Sequence, residues 1–348
     1  MKAAVYMGIE NMPVKDVDYP SCPEGGLILK VMAVGICGGD VRTYYSGSHK
    51  IKPPMILGHE VAGEVVEICK DHHDYKIGDR LAMAPGIFCN NCYYCRHGMK
   101  TMCENLTEIA FQYQGGFAEY MPLPGKAFSN GRIVPIPQDI SYEHAALAEP
   151  PSSCIYSQER ANVSLGDTVV IIGAGPIGCI HIQVARARGV SKIIMVEISQ
   201  GRLEKAKLFG ADAYINGSRE DAVKAVKGIT NSLGADKVIV AAPSAIAQKE
   251  AIEMCKKRGT VVFFGGLPKD KPTAEINSNI IHYNDINIMG HYGQERHHVF
   301  QSLEMISKGQ ISAGKIINDI LQLDEIVKGF ELMSSKKALK VLIKPELK

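Results

Sequence analysis

Residues 168–189 read TVVIIGAGPIGCIHIQVARARG, an apolar strand run that passes through Gly173, Gly175 and Gly178 into an apolar helix pattern. No other segment restricts the fold as much. The first glycine permits a tight turn, the second lets backbone approach a pyrophosphate, and the third lets the helix pack on the strand. The exposed amides at the helix start, from Ile177 onward beside Pro176, favour the anion. Short apolar runs and helical patterns then alternate: KIIMVE at 192–197, AYI at 213–215, KVIVAA at 237–242, TVVFFGG at 260–266 and INIMG at 286–290. Helical stretches are expected near 201–209, 220–233 and 245–257. This is the alternation of a parallel sheet that binds a dinucleotide.

Glu197 ends the strand run that follows the motif, nineteen residues after Gly178. A carboxylate there accepts hydrogen bonds from the adenine-ribose hydroxyls and repels a 2′-phosphate, so NAD is expected over NADP. Arg202 offers the opposing reading, since it could neutralise a phosphate or stack on adenine.

A chain of 348 residues exceeds one ordinary core, so two domains are expected. The first 150 residues are rich in turn signals and β-like runs, such as LILKVMAV at 27–34 and VAGEVVEIC at 61–69. The texture changes at Glu149-Pro150-Pro151. The expected organisation is 1–150, 151–290, and a segment 291–348 whose strand-like KVLIKP at 340–345 could return to the first domain. A net charge of +2 gives no reason to expect nucleic acid. No apolar run reaches eighteen residues, so no membrane span is expected. Residues 1–7 lack the apolar core and cleavage site of a signal peptide, which points to the cytoplasm. In that setting ten cysteines read as metal ligands and reduced core thiols rather than disulfides.

Cys89, Cys92, Cys95 and Cys103 are spaced C-x2-C-x2-C-x7-C. Four thiolates can close a tetrahedral shell around zinc and leave no place for substrate, so this loop reads as a structural staple. An iron–sulfur cluster is disfavoured, because the dinucleotide domain already supplies two-electron chemistry. A second set is scattered: Cys37 in GICGGD, His59 and Glu60 in GHE, and Glu149 in LAEPP. Together they could hold zinc with a position open to water or substrate. Singly, each also reads as a buried thiol, a turn residue or a solvated charge.

The chain resembles the zinc-dependent medium-chain dehydrogenase/reductase family, most closely its polyol branch of sorbitol and sugar-alcohol-phosphate dehydrogenases. GICGGD at 35–40, GHE at 58–60, the four-cysteine loop, GGFAEY at 115–120, AEP at 148–150 and GAGPIG at 173–178 carry the resemblance, which covers essentially the whole chain. It implies an α/β two-domain protein, a chaperonin-10-like β-rich catalytic domain plus a Rossmann doubly wound parallel sheet, with the active site in the cleft between them. It implies that Cys37, His59 and Glu149 ligate a catalytic zinc, and that Glu60 is a ligand in some states and a neighbour of the ligands in others. It further implies two zinc ions per subunit, a C-terminal return to the catalytic domain, and a homo-oligomer, tetramer or dimer.

One departure stands out. The family commonly carries Ser or Thr two residues after the first zinc cysteine, and that hydroxyl passes on the alcohol proton. Here the position is Gly39. Thr43, Tyr44 and His49 are nearby in sequence. The expected activity is hydride transfer between a secondary hydroxyl of a polyol or cyclitol and NAD. Alternatives are a sugar-alcohol phosphate of galactitol- or arabitol-phosphate type, then an L-threonine-type substrate, and remotely an NAD-binding sensor without catalysis. Lys50, Lys52, Arg96 and His291 are candidate phosphate contacts that read equally as solvated residues. Tyr45, Phe111 and Tyr113 are candidate cleft residues that read equally as packing.

Overall fold

β1 (Leu27–Gly35) is buried along most of its length and pairs antiparallel with β2 (Glu60–Ile68). Gly35 stands opposite Glu60 at one end of this ladder and Leu27 opposite Ile68 at the other. The computed structural model that shows this describes residues 1–69 and 75–346. It separates into two units, Met1–Ser152 with the chain from Gly293 onward, and Ser153–Tyr292. β3 (Arg80–Ala84), β4 (Tyr120–Leu123) and β5 (Arg132–Pro135) extend the first unit's main sheet.

α1 (Gly38–Ser46) interrupts a region the sequence reads as strands and irregular loops. It forms because Cys37 closes a capping box: its sulfur accepts from the Gly39 amide at 3.3 Å, and the Asp40 carboxylate accepts from the Cys37 amide at 2.9 Å. α2 (Glu149–Arg160) begins on the Glu-Pro-Pro run that looks like a linker. Proline is tolerated in a first turn because its missing N–H would have no intrahelical partner there. The division between the units falls within this helix.

The expectation of reduced thiols fails at one pair. Cys22 and Cys69 form a disulfide, with Cα atoms 5.9 Å apart. The Cys69 amide donates to Gly26 O at 3.0 Å, which lays the end of β2 beside the segment that leads into β1. Composition carries no trace of this pairing, because register creates it. The other eight cysteines are not disulfide-bonded.

The second unit holds β6 (Thr168–Ile172), α3 (Pro176–Ala187), β7 (Lys192–Glu197), β8 (Ala213–Asn216), β9 (Ala235–Val240), β10 (Cys255–Phe263) and β11 (Asn287–Gly290). All adjacent pairs are parallel, and numbered within the unit the strand order is 3-2-1-4-5-6, that of a Rossmann sheet. The order reverses beside β6, which places the glycine turn at the switch point. The apolar runs are buried as their continuity requires, with Val169–Ile171 and Ile193–Met195 fully covered. The helix expected over 245–257 ends at Met254, because Cys255 adopts an extended backbone and opens β10.

Within this unit His181 on α3 is fully buried, and Gln158 Nε2 donates to its Nδ1 at 3.1 Å. Burial, aided by the charge of His291, pushes its pKa down to about 3 from 6.5. The folded ring stays neutral while the unfolded one protonates, so its contribution is complete above pH 6.5 and is lost as pH falls toward 3. Stability is expected to fall by about 1.4 kcal/mol per pH unit in that window, and His181→Gln should flatten the slope. Urea midpoints of both proteins across the window check this; equal slopes would refute it.

α4 (Arg296–Ser307), β12 (Ile317–Gln322) and β13 (Lys340–Lys344) complete the first unit. β13 pairs antiparallel with β1, Leu342 opposite Gly35, and parallel with β12. The sheet order is therefore β5-β3-β2-β1-β13-β12, with β4 also on β1.

Candidate metal centre and cofactor site

The β1–β2 ladder delivers Cys37, His59 and Glu60 to one place. Cys37 follows β1 and caps α1, while His59 and Glu60 stand at the start of β2. Ligand atoms of the three lie within 4.8 Å of one another. His59 is 6% exposed and Glu60 1%, so neither carries its polar group into bulk water. His59 Nδ1 has no hydrogen-bond partner and lies 3.6 Å from Asp40 Oδ1. Burial pulls the imidazole pKa down, but Asp40 and Cys37 outweigh it and hold it well above its usual value. A thiol, an imidazole and a carboxylate clustered in a buried position, with an imidazole nitrogen left unpartnered, fit zinc.

Glu60 has a strong competing partner. Lys340 Nζ donates to Glu60 Oε1 and Oε2, each at 2.7 Å, and to Ile36 O at 3.0 Å. A Cβ at Gly35 would collide with Glu60 Oε2, so glycine opposite Glu60 is what gives the carboxylate room. Glu149, half-buried at the start of α2, lies outside the 4.8 Å group. Gln294 Nε2 donates to its Oε1 at 2.9 Å, and its charge acts on both Glu60 and Lys340. Sequence reading missed Asp40, Gln294 and Lys340. Only Lys340 leaves a signal, as a lysine opening an otherwise apolar strand run.

The position of the absent relay hydroxyl is open. A Cβ at Gly39 would meet only Cys37 Sγ, at 3.7 Å. Thr43 is buried in α1. Tyr44 is committed to the core, its hydroxyl donating to Glu10 O at 3.3 Å and its ring packed on Phe330. His49 is exposed. Phe111 packs 5.9 Å from the His59 ring. Tyr45 packs on Tyr44, and Tyr113 lies beneath Lys126. Lys50 pairs with Glu108 at 3.6 Å, and Lys52 and Arg96 are exposed. His291 belongs to the second unit, where it hydrogen-bonds Ser153 and stacks on Phe264.

Cys89, Cys92, Cys95 and Cys103 also have ligand atoms within 4.8 Å. The Cys89 amide donates to Cys103 Sγ and the Cys92 amide to Cys89 Sγ, both at 3.3 Å. The Asn91 backbone amide chiefly draws the Cys89 thiol down to about 6, while burial pushes Cys95 up to about 12. Four crowded sulfurs, some favouring charge and some resisting it, suit a cation that stabilises all four as thiolates.

In the second unit the glycines match their expected tasks. Gly173 has φ +109, and a Cβ at Gly178 would collide with Gly173 O. At Gly175 nothing lies within 4 Å of that direction, which leaves room for a ligand against the start of α3 and its Pro176 and Ile177. Glu197 is buried, its Oε2 accepting from the Ala174 amide at 2.8 Å and its Oε1 from Ile198 and Ser199. Its carboxylate is thus tied to the glycine turn. Arg202 stands half-buried on the helix Gln200–Ala206.

Residues 23–138 match the alcohol dehydrogenase GroES-like domain, and residues 176–308 match the zinc-binding dehydrogenase family. The chain is 31% identical to the sorbitol dehydrogenase of Bacillus subtilis, over 99% of its own length and 97% of that protein. It is 34% identical to the L-threonine 3-dehydrogenase of Pyrococcus horikoshii, over 94% and 93% respectively. Its fold superposes on the alcohol dehydrogenase TADH from Thermus sp. ATN1 with a TM-score of 0.91 at 29% identity, covering 99% of each chain. Among the described residues no helix is long and apolar enough to cross a membrane.

Proposed function

Because this chain belongs to the zinc-dependent medium-chain dehydrogenase/reductase family and is a zinc- and NAD-dependent oxidoreductase acting on CH–OH groups, we propose a substrate class and a set of residue roles. The substrate is a short secondary alcohol with a second polar group on the neighbouring carbon. An amino alcohol of L-threonine type is the first choice, supported by the 34% identical relative. A polyol is the second, supported by the sorbitol dehydrogenase at 31%. Both substrate types place a polar group, an amine or a hydroxyl, on the carbon next to the reacting one.

The observation that carries this reading is the carboxylate-rich site around Cys37 and His59, where Glu60 and Glu149 both act on the same buried region. Cys37, His59 and Glu149 hold the catalytic zinc, and Cys89, Cys92, Cys95 and Cys103 hold the structural one. Zinc at the first position supplies Lewis acidity at the substrate hydroxyl, and NAD accepts the hydride. Gln294 orients Glu149. Gly39 supplies no hydroxyl, so the substrate proton leaves through water, the cofactor ribose or the substrate's own polar group. The open space at Gly39 accommodates such a group.

NADH absorbance against a panel of L-threonine, sorbitol, xylitol, their phosphates and simple alcohols, together with metal analysis, tests the assignment. Turnover with the amino alcohol or polyols well above simple alcohols, and two zinc ions per subunit, are expected. Absence of hydride transfer across the panel would favour the sensor reading. The Glu197 carboxylate should favour NAD over NADP by about 100-fold in kcat/KM, since like charges in contact cost several kcal/mol. Glu197→Ala should narrow that ratio; an NADP preference in the unaltered protein would refute the role. A homo-oligomer is also proposed. Among the described residues no strand pairs with the outer edge of β11, a surface that a second copy can extend, and light scattering reads the stoichiometry.

A further inference from the structure

We propose that Lys340 is a positioning residue for the catalytic zinc: by holding both oxygens of Glu60, it leaves Glu149 as the carboxylate offered to the metal. This rests on the zinc reading above. Lys340 is 3% exposed and Glu60 1%, so the pair is removed from water. An ammonium group has three donors, and here each has an acceptor: Glu60 Oε1, Glu60 Oε2 and Ile36 O. Ile36 immediately precedes Cys37, so the same cation fixes the carboxylate and the backbone that presents the thiolate. Gly35 supplies the space for this arrangement. Three neighbouring strands, β1, β2 and β13, therefore build it jointly.

Charge counting explains why the lysine is needed. A thiolate at Cys37 and carboxylates at Asp40, Glu60 and Glu149 exceed the charge of one zinc ion by two, and Lys340 halves that excess. If Glu60 moved to the metal, it would strand a buried ammonium group, which is strongly unfavourable. Glu149 has no such constraint. Its partner is the neutral amide of Gln294, which orients the carboxylate without competing for its charge.

The test compares Lys340→Met, Lys340→Arg, Glu149→Gln and the double variant Lys340→Met/Glu60→Gln in the full-length enzyme. The exchangeable metal is replaced by Co2+, and the visible spectrum reports its coordination. In Lys340→Met the released Glu60 should join the metal. That would weaken the d–d bands as coordination number rises and lower turnover about 10–100-fold. The double variant should regain the spectrum and most of the turnover of the unaltered enzyme, and Lys340→Arg should keep both. Glu149→Gln should change the spectrum in every background. An unchanged spectrum in Lys340→Met, or in Glu149→Gln, would overturn the proposal. If Lys340→Met does not fold, the double variant, which leaves no unpaired charge, carries the comparison: a spectrum unlike that of the unaltered enzyme would refute the idea. Failure of the zinc reading itself looks different, because the unaltered protein would then bind no Co2+ outside the four-cysteine site.

Discussion

Replacing Cys37 with alanine is expected to lower turnover by at least about 1,000-fold, because Lewis-acid stabilisation is worth several kcal/mol of barrier. Zinc content should fall from two ions per subunit to one, with the four-cysteine site retained. Cys37 has a second task, since its sulfur caps α1 through the Gly39 amide at 3.3 Å. Loss of a cap costs about 1 kcal/mol, too little to explain such a loss of activity by unfolding. Cys37→Ser separates the two tasks. Serine can accept from the same amide, so its Tm should stay near that of the unaltered protein, yet it is a poor zinc ligand and turnover should remain low. Metal analysis, calorimetry and NADH absorbance read the three quantities. Two retained zinc ions with normal turnover would remove Cys37 from the site.

Cys103→Ser should have the opposite profile, a large loss of stability with activity impaired only secondarily. The segment around this cysteine has little else to hold it. It contains the four-residue helix Tyr93–Arg96, the single turn Lys100–Met102 and the two-residue strands Gly86–Ile87 and Thr107–Glu108. Its buried cluster is the cysteines themselves with Phe88. Zinc therefore stands in for a core, and its binding energy is folding energy. A loss of roughly 3–4 kcal/mol should lower Tm by about 10 °C for a unit of this size. Turnover per remaining catalytic zinc should fall far less than in Cys37→Ala. An unchanged Tm with two zinc ions bound would contradict the staple.

The parts of this fold that were legible in sequence are those written locally. The glycine turn, the strand runs around it and the four-cysteine spacing each occupy one short segment, and periodicity or ligand spacing exposes them. α1 was hidden because Gly38 and Gly39 are poor helix formers, and the capping box from Cys37 to Asp40 decides the matter. α2 was hidden because Glu149-Pro150-Pro151 signals a break as readily as a first turn. The Cys22–Cys69 bond and the Lys340–Glu60 pair join positions far apart in sequence, and only strand register brings them together. The site was partly legible for the same reason. GICGGD and GHE are visible as segments, but the cation that controls Glu60 comes from the far end of the chain.

β13 is the latest strand in sequence among those described, yet it lies in the interior of its sheet, between β1 and β12. On the ribosome this inverts the usual order of assembly. Residues 153–292 form a self-contained unit and emerge before the first unit can close. Until Lys340 leaves the exit tunnel, β1 lacks its partner at the Val34–Gly35 end and Glu60 lacks its ammonium partner. Contacts across some three hundred residues also carry a large loop-closure cost and form late. The nascent chain thus holds an exposed, incomplete sheet throughout most of its synthesis, the state in which cellular chaperones engage a protein. The counter-ion of the Glu60 carboxylate is thus supplied only when the latest of the described strands is made.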